Sequence, residues 1–174
     1  KMIVTIPFKT FCNTLTYNGT SQQLTSATSG DGYTLSGYSA TEAGDHTVTA
    51  SLTGFSRWSD GTTGNKTFTC SIGQKSVTVT SNSDSKTYDG TALTKAGCGV
   101  TSGSVVSGHS ITCTNTGSIT NVKDSPVENT LSSVVIKSGT EDVTDNYSIK
   151  KVNGSLTISA REITCTSGSA SRDY

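Results

Sequence analysis

The chain has 174 residues and a mass of 18.0 kDa, enough for one domain or two small ones. Its 13 basic and 13 acidic residues cancel, which excludes the net field that draws proteins to nucleic acid or to an anionic membrane. Thr and Ser number 32 and 28 while hydrophobic residues make up only 31%, so the core must be thin; low charge and regular apolar alternation nonetheless exclude a disordered tail.

In chain order, KMIVTIPFK at the start is too short and too strand-like for a signal peptide, so any export signal has been removed or lies outside this stretch. Ser29-Gly30-Asp31-Gly32 is turn chemistry. His46 to Leu52 then alternates, with Val48, Ala50 and Leu52 on one face. Asp60-Gly61-Thr62-Thr63-Gly64-Asn65 is a second turn cluster, followed by a strand bearing Phe68, Cys70 and Ile72 on one side. Val77 with Val79, and Leu156 with Ile158, mark two more strands. Thr and Val favour strands, and no amphipathic helix or membrane-length apolar run occurs. The reading is all-β, with no membrane insertion.

Internal repetition sets the organisation. Lys75 to Tyr88 (KSVTVTSNSDSKTY) aligns without gaps on Arg161 to Tyr174 (REITCTSGSASRDY), with six of 14 positions identical. Thr87-Tyr88-Asp89-Gly90-Thr91 matches Thr16-Tyr17-Asn18-Gly19-Thr20. The expectation is two tandem repeats, 1–74 and 75–160, and the opening strand of an incomplete third over 161–174, a piece of a longer array with almost no linker between units. Asn-Gly and Asp-Gly supply the positive φ of tight turns, and the preceding Tyr buries its ring, so Tyr17-Asn18-Gly19 and Tyr88-Asp89-Gly90 read as turn-and-anchor elements.

These residues also carry a resemblance. Lys86-Thr87-Tyr88-Asp89-Gly90-Thr91-Ala92-Leu93-Thr94 resembles the opening signature of YDG-type bacterial Ig-like repeats, also called MBG repeats. Asp145-Asn146-Tyr147-Ser148-Ile149 and Val152-Asn153-Gly154-Ser155-Leu156-Thr157-Ile158 resemble the segments that close such a unit. The first repeat is similar to a sister variety through Ala43-Gly44-Asp45-His46-Thr47-Val48-Thr49-Ala50 and Trp58-Ser59-Asp60-Gly61-Thr62-Thr63-Gly64. The resemblance implies tandem Ig-like β-sandwich modules in a secreted or cell-surface protein, with adhesive or spacer roles and no catalytic residues. The five cysteines depart from the family, whose repeats have few or none.

Cysteine spacing offers two pairs and a remainder. A hairpin turning about Val105 and Val106 would pair Cys98 with Cys113 and put Val100 and Ile111 on the same face. Cys12 and Cys70 lie in the opening and closing strands of the first repeat, which are neighbours in Ig-like sandwiches. The alternative is that all five are buried, reduced thiols. Cys165 stands where Val79 stands in the previous repeat and is expected to pack like it.

Candidate sites are few. Trp58 is either an exposed platform for stacking a sugar or a core residue. Glu141, Asp142, Asp145 and Asn146 form a weak oxygen-rich candidate for calcium against the plainer reading of a solvated loop. Lys86 and Lys95 with Asn115 or Asn121 are candidates for an intramolecular isopeptide bond, without a distinguishing motif. No nucleophile elbow, phosphate loop or CxxC and HxxxH spacing occurs, so neither catalysis nor a cofactor is expected. Three functions are consistent with this sequence: a spacer in the stalk of an extracellular adhesin-like protein whose partners are neighbouring repeats, a binding module for host glycan or protein, and a filament subunit joined by strand addition.

Overall fold

The computed structural model describes residues 1–6 and 11–172. Strands account for 52% and helix for 4%, the latter as 3-10 turns such as Val122–Asp124 and Thr144–Asn146, so the fold is all-β. The chain divides into two compact units. The first comprises Lys1–Val79, Val100–Thr112 and Val134–Lys150; the second comprises Thr80–Gly99, Cys113–Ser133 and Lys151–Tyr174.

The first unit contains a five-stranded sheet in the order Leu15–Thr16, Lys66–Gly73, Gly44–Leu52, Tyr33–Ser36, Ser29–Gly30. Gly44–Leu52 is its axis, antiparallel to both neighbours, with Val48 opposite Phe68 and Ala50 opposite Leu35. Two-residue alternation turns Val48 and Ala50 fully inward along with Cys70 and Ile72. Each aliphatic side chain of Val or Ile size buried this way stabilises the fold by roughly 1.5–3 kcal/mol. A parallel pair, Met2–Val4 with Ser56–Trp58, places Val4 beside Trp58, and both are buried.

The second unit contains the sheet Asp84–Thr87, Gly154–Ser159, Val127–Asn129. Its apolar cluster is Leu93, Ile119, Leu156 and Ile158, with Val127 packed against it. The core is small and partly polar. Ser81 and Asn129 are buried there, and the Ser81 hydroxyl donates to the Asn129 carbonyl while accepting the Gly154 amide at 2.8 Å.

Two more three-stranded sheets are Cys98–Gly103, Lys75–Ser81, Tyr147–Val152 and His109–Asn115, Leu131–Ser138, Glu141–Asp142. They correct one expectation. Cys98–Gly103 and His109–Asn115 do not form a hairpin; they belong to different sheets. A two-residue hairpin turn on Val105-Val106 needs positive φ, which β-branched residues avoid, and no non-glycine residue in the described chain has it. The chain instead arches from one sheet to the other through the half-buried Val105 and Val106.

The expected opening strand of a third repeat is also absent. Residues 160–172 form no strand, Ile163 is 82% exposed, and Cys165 is a free, exposed thiol rather than a Val-like core residue. A single strand without a sheet edge leaves its backbone groups to water and has no face to bury. Tyr174, the expected counterpart of Tyr88, lies outside the described residues.

Candidate functional site

The turns follow one local rule. In Asn18-Gly19-Thr20 the Asn18 Oδ1 accepts both the Thr20 amide and the Thr20 hydroxyl, each at 2.9 Å. The Asp60 carboxylate does the same with Thr62, the Asp89 carboxylate with Thr91, and the Asp142 carboxylate with Thr144. A short acceptor side chain followed two residues later by Thr closes its own turn, with Gly between them at φ +78°, +85° and +82° in the first three. Lysines then lock two of these turns: Lys66 Nζ lies 2.7 Å from Asp60, and Lys86 Nζ 2.8 Å from Asp89. Hydrogen bonds to the charged form, led by the lysine in each case, hold both carboxyls well below the usual Asp range. At the position of Lys86, three residues before the acidic one, the first turn has Leu15 and needs no cation, because Asn18 is neutral.

The strands entering the Tyr turns are held alike. Leu15–Thr16 runs parallel to Lys66–Gly73, and Asp84–Thr87 runs parallel to Gly154–Ser159. The Tyr17 amide then donates to the Gly73 carbonyl at 2.8 Å and the Tyr88 amide to the Ser159 carbonyl at 2.9 Å. The two rings differ. Tyr17 is 3% exposed and acts as the expected anchor, whereas Tyr88 is 39% exposed and does not bury its ring. Tyr17 is covered by Tyr147, edge-on at 5.5 Å between centroids, and by His109 at 6.2 Å; no ring packs on Tyr88 among the described residues.

Around Tyr17 lies a polar constellation within the first unit. Tyr147 Oη accepts the Val106 amide at 3.0 Å and shares a 2.7 Å hydrogen bond with His109 Nδ1. Asn146, 4% exposed, accepts the Ala43 amide at 2.6 Å and donates to the Glu42 carboxylate. Gln74 Nε2 donates to the Asp145 carbonyl at 2.9 Å. Burial is the main cause that raises both phenols above the ordinary tyrosine value, reinforced at Tyr17 by the charge of Glu42. Nothing in their spacing announces that residues 17, 42, 109, 146 and 147 meet. Only the DNYSI segment hints at it, as the expected close of a repeat.

Trp58 is not a platform. It is 0% exposed, its Nε1 donates to the Gly64 carbonyl at 2.5 Å, and Tyr33 packs beside it, so no ring face is free to stack on a sugar. The calcium candidate also dissolves. Asp142 is turned to Thr144 and Asn146 to Glu42 and Ala43, and among the described residues no group of three or more His, Cys, Asp or Glu is placed to hold a metal ion. The isopeptide lysines are engaged elsewhere, Lys86 with Asp89 and Lys95 with Asp84 at 3.2 Å.

Cysteines are joined as Cys12–Cys70, spanning 58 residues, and Cys98–Cys113, spanning 15. The second bond ties strands of two sheets rather than the arms of a hairpin. Two disulfides are the chemistry of an oxidising, extracellular-type environment, and no helix among the described residues is long and apolar enough to cross a membrane. A surface depression of about 490 Å³ is an open groove across Lys75–Ser81 and its neighbours, where Ser76, Thr78, Ser102, Ser148 and Lys150 alternate with Val77, Gly103 and Ile149.

No protein-family model matches the chain, and neither a curated protein nor a solved structure matches it significantly.

Proposed function

We propose that the chain is a non-catalytic spacer built of tandem Ig-like β-sandwich repeats, of the YDG type in its second half, in the stalk of a secreted or cell-surface adhesin-like protein. The observation that carries this reading is the joint at Tyr17. Residues of the first sequence repeat meet residues of the second with no intervening linker: the Tyr17 ring packs on His109 and Tyr147, while Glu42 and Ala43 hydrogen-bond Asn146 and Gln74 hydrogen-bonds the Asp145 carbonyl. A spacer transmits position only if its sequence repeats cannot swivel on one another, and a buried, hydrogen-bonded aromatic cluster that draws both repeats into one compact unit resists that swivelling. The equivalent placement of the two Tyr turns against the closing strands of their repeats supports the tandem reading.

The test is single-molecule extension of the whole chain. A spacer resists load until its sheets break, and its disulfides shield the enclosed segments. Reduction then releases about 200 Å of extra contour for the 58-residue span and about 50 Å for the 15-residue span, at roughly 3.5 Å per residue. Extension of the oxidised chain at forces that also stretch an unfolded polypeptide overturns the reading.

A second reading, strand addition into a filament, is favoured by one observation: residues 160–172 lie outside any sheet with Ile163 exposed. Concentration-dependent oligomers that vanish on deleting residues 161–174 are its signature.

A further inference from the structure

Two of the nine asparagines are followed by glycine, Asn18-Gly19 and Asn153-Gly154, and the structure treats them in opposite ways. We propose that Asn18-Gly19 is a spontaneous modification site at which the side-chain amide is lost to water, whereas Asn153-Gly154 is protected by the fold.

The reaction is an intramolecular acyl transfer. The Gly19 amide nitrogen gives up its proton to solvent base and attacks Asn18 Cγ. A N–Cγ bond forms, the Cγ–Nδ2 bond breaks, and ammonia leaves. Water then opens the resulting five-membered imide at either carbonyl, giving aspartate or, with the backbone rerouted through the side chain, isoaspartate. The balance is one water consumed and one ammonia released.

Three features favour it at Asn18. The residue is exposed, so water and base reach it. The Gly19 amide, the nucleophile, makes no hydrogen bond among the described residues, and Gly19 carries no side chain to obstruct the approach. The Thr20 amide and hydroxyl both point at Asn18 Oδ1, the atom on which negative charge develops during attack. Asn153 is also exposed and its Oδ1 also accepts an amide, so the difference lies at the nucleophile and in the restraint of the side chain. The Gly154 amide donates to Ser81 Oγ at 2.8 Å in a buried setting, and Gly154 itself is buried between backbone segments. The Asn153 side chain is held at both ends, Oδ1 by the Leu131 amide and Nδ2 by Glu128. The Gly61 amide of the related Asp60 turn is likewise occupied, on the Trp58 carbonyl.

The consequence falls on the Tyr17 joint. A new carboxylate arises in the one Asx-Gly-Thr turn that has no lysine beside it, where Leu15 stands in place of Lys86. The isoaspartyl form lengthens the backbone of a turn packed so closely on Val106 that a Cβ at Gly19 would lie 2.8 Å from its Cγ1.

The experiment incubates the oxidised, folded protein at mildly alkaline pH and follows each Asn-Gly peptide by mass, which rises by about 1 Da on conversion, together with isoaspartate-specific enzymatic methylation. The expected result is progressive conversion at Asn18 with Asn153 unchanged. In the reduced chain in urea the two sites convert at comparable rates. Asn18→Gln is expected to abolish the fast conversion while Trp58 emission shows the fold intact. The proposal fails if Asn18 survives while Asn153 converts, if both convert alike in the folded protein, or if Asn18→Gln leaves the fast mass gain in place. It does not depend on the spacer reading.

Discussion

Removing one disulfide at a time separates the chain-entropy contribution of two loops within a single molecule. The Cys12–Cys70 bond closes a span of 58 residues and the Cys98–Cys113 bond a span of 15. Restricting the unfolded chain scales with the logarithm of loop length, giving about 4 kcal/mol for the longer loop and about 3 kcal/mol for the shorter. Burial widens the gap: Cys70 is 1% exposed, and replacing it with Ala leaves a small void worth about 1 kcal/mol, whereas Cys98 and Cys113 are only half-buried. In a Cys165→Ala background, which prevents thiol exchange, Cys12→Ala/Cys70→Ala is therefore expected to lose about 5 kcal/mol and Cys98→Ala/Cys113→Ala about 3 kcal/mol. The assay is urea unfolding followed by the fluorescence of Trp58, whose complete burial gives a blue-shifted folded signal that moves red on exposure. A domain of this size has about 5–15 kcal/mol in all, so the first variant sits at the margin of folding. Equal losses, or a larger loss for the shorter loop, would refute the loop-length argument and point to native-state packing around Cys98 and Cys113 instead.

Gly117→Ala is expected to destabilise by about 1–3 kcal/mol in thermal unfolding, because its Cβ would lie 2.6 Å from Asn129 Cα and 2.9 Å from the Glu128 carbonyl, both backbone atoms. Gly64→Ala, with nothing within 4 Å, serves as the control and should stay within about 0.5 kcal/mol. Asp60, Asp84, Asp89 and Asp142 are all held below their ordinary value when folded, so their contribution is present above about pH 4 and is lost as the pH falls through the folded values. Urea midpoints should therefore fall on acidification, with a smaller drop in Asp60→Asn; exposure of these groups to solvent keeps the effect modest and salt-sensitive. Tyr17 and Tyr147 are held above their ordinary value, so the folded chain loses stability as the pH rises past about 10, and an ultraviolet titration should show a late-ionising component that is reduced in Tyr147→Phe. Tyr147→Phe strands the Val106 amide and removes the partner of His109 Nδ1, for an expected cost of about 1–3 kcal/mol in urea unfolding.

Local chemistry was the most legible layer. Asx-Gly-Thr turns close on their own side chains, so Asn18, Asp60 and Asp89 needed no distant partner to be recognised as turn residues. Alternation placed Val48, Ala50, Val77, Val79, Leu156 and Ile158 inward because a strand has only two faces. The two cysteine pairs were expected on different grounds, strand alternation in a hairpin for Cys98–Cys113 and the adjacent first and last strands of an Ig-like unit for Cys12–Cys70; both bonds form, but the hairpin does not. Cys98 meets Cys113 across two sheets, since Val105-Val106 cannot take the left-handed backbone of a tight hairpin. Trp58 was ambiguous until its burial was seen: Ser, Asp and Gly neighbours read as solvent exposure, yet the turn they form folds back so that Gly64 meets the indole.

From the amino-acid order alone came the all-β class, the turn positions and the inward faces, because each depends on contacts within a few residues or on a period of two. Tertiary structure alone decided which strands share a sheet, that residues 160–172 join none, and that Tyr17, Glu42, His109, Asn146 and Tyr147 converge. Those outcomes turn on long-range competition for strand edges and buried space. In a chain where Ser and Thr dominate, many registers look alike until the few large side chains have found one another.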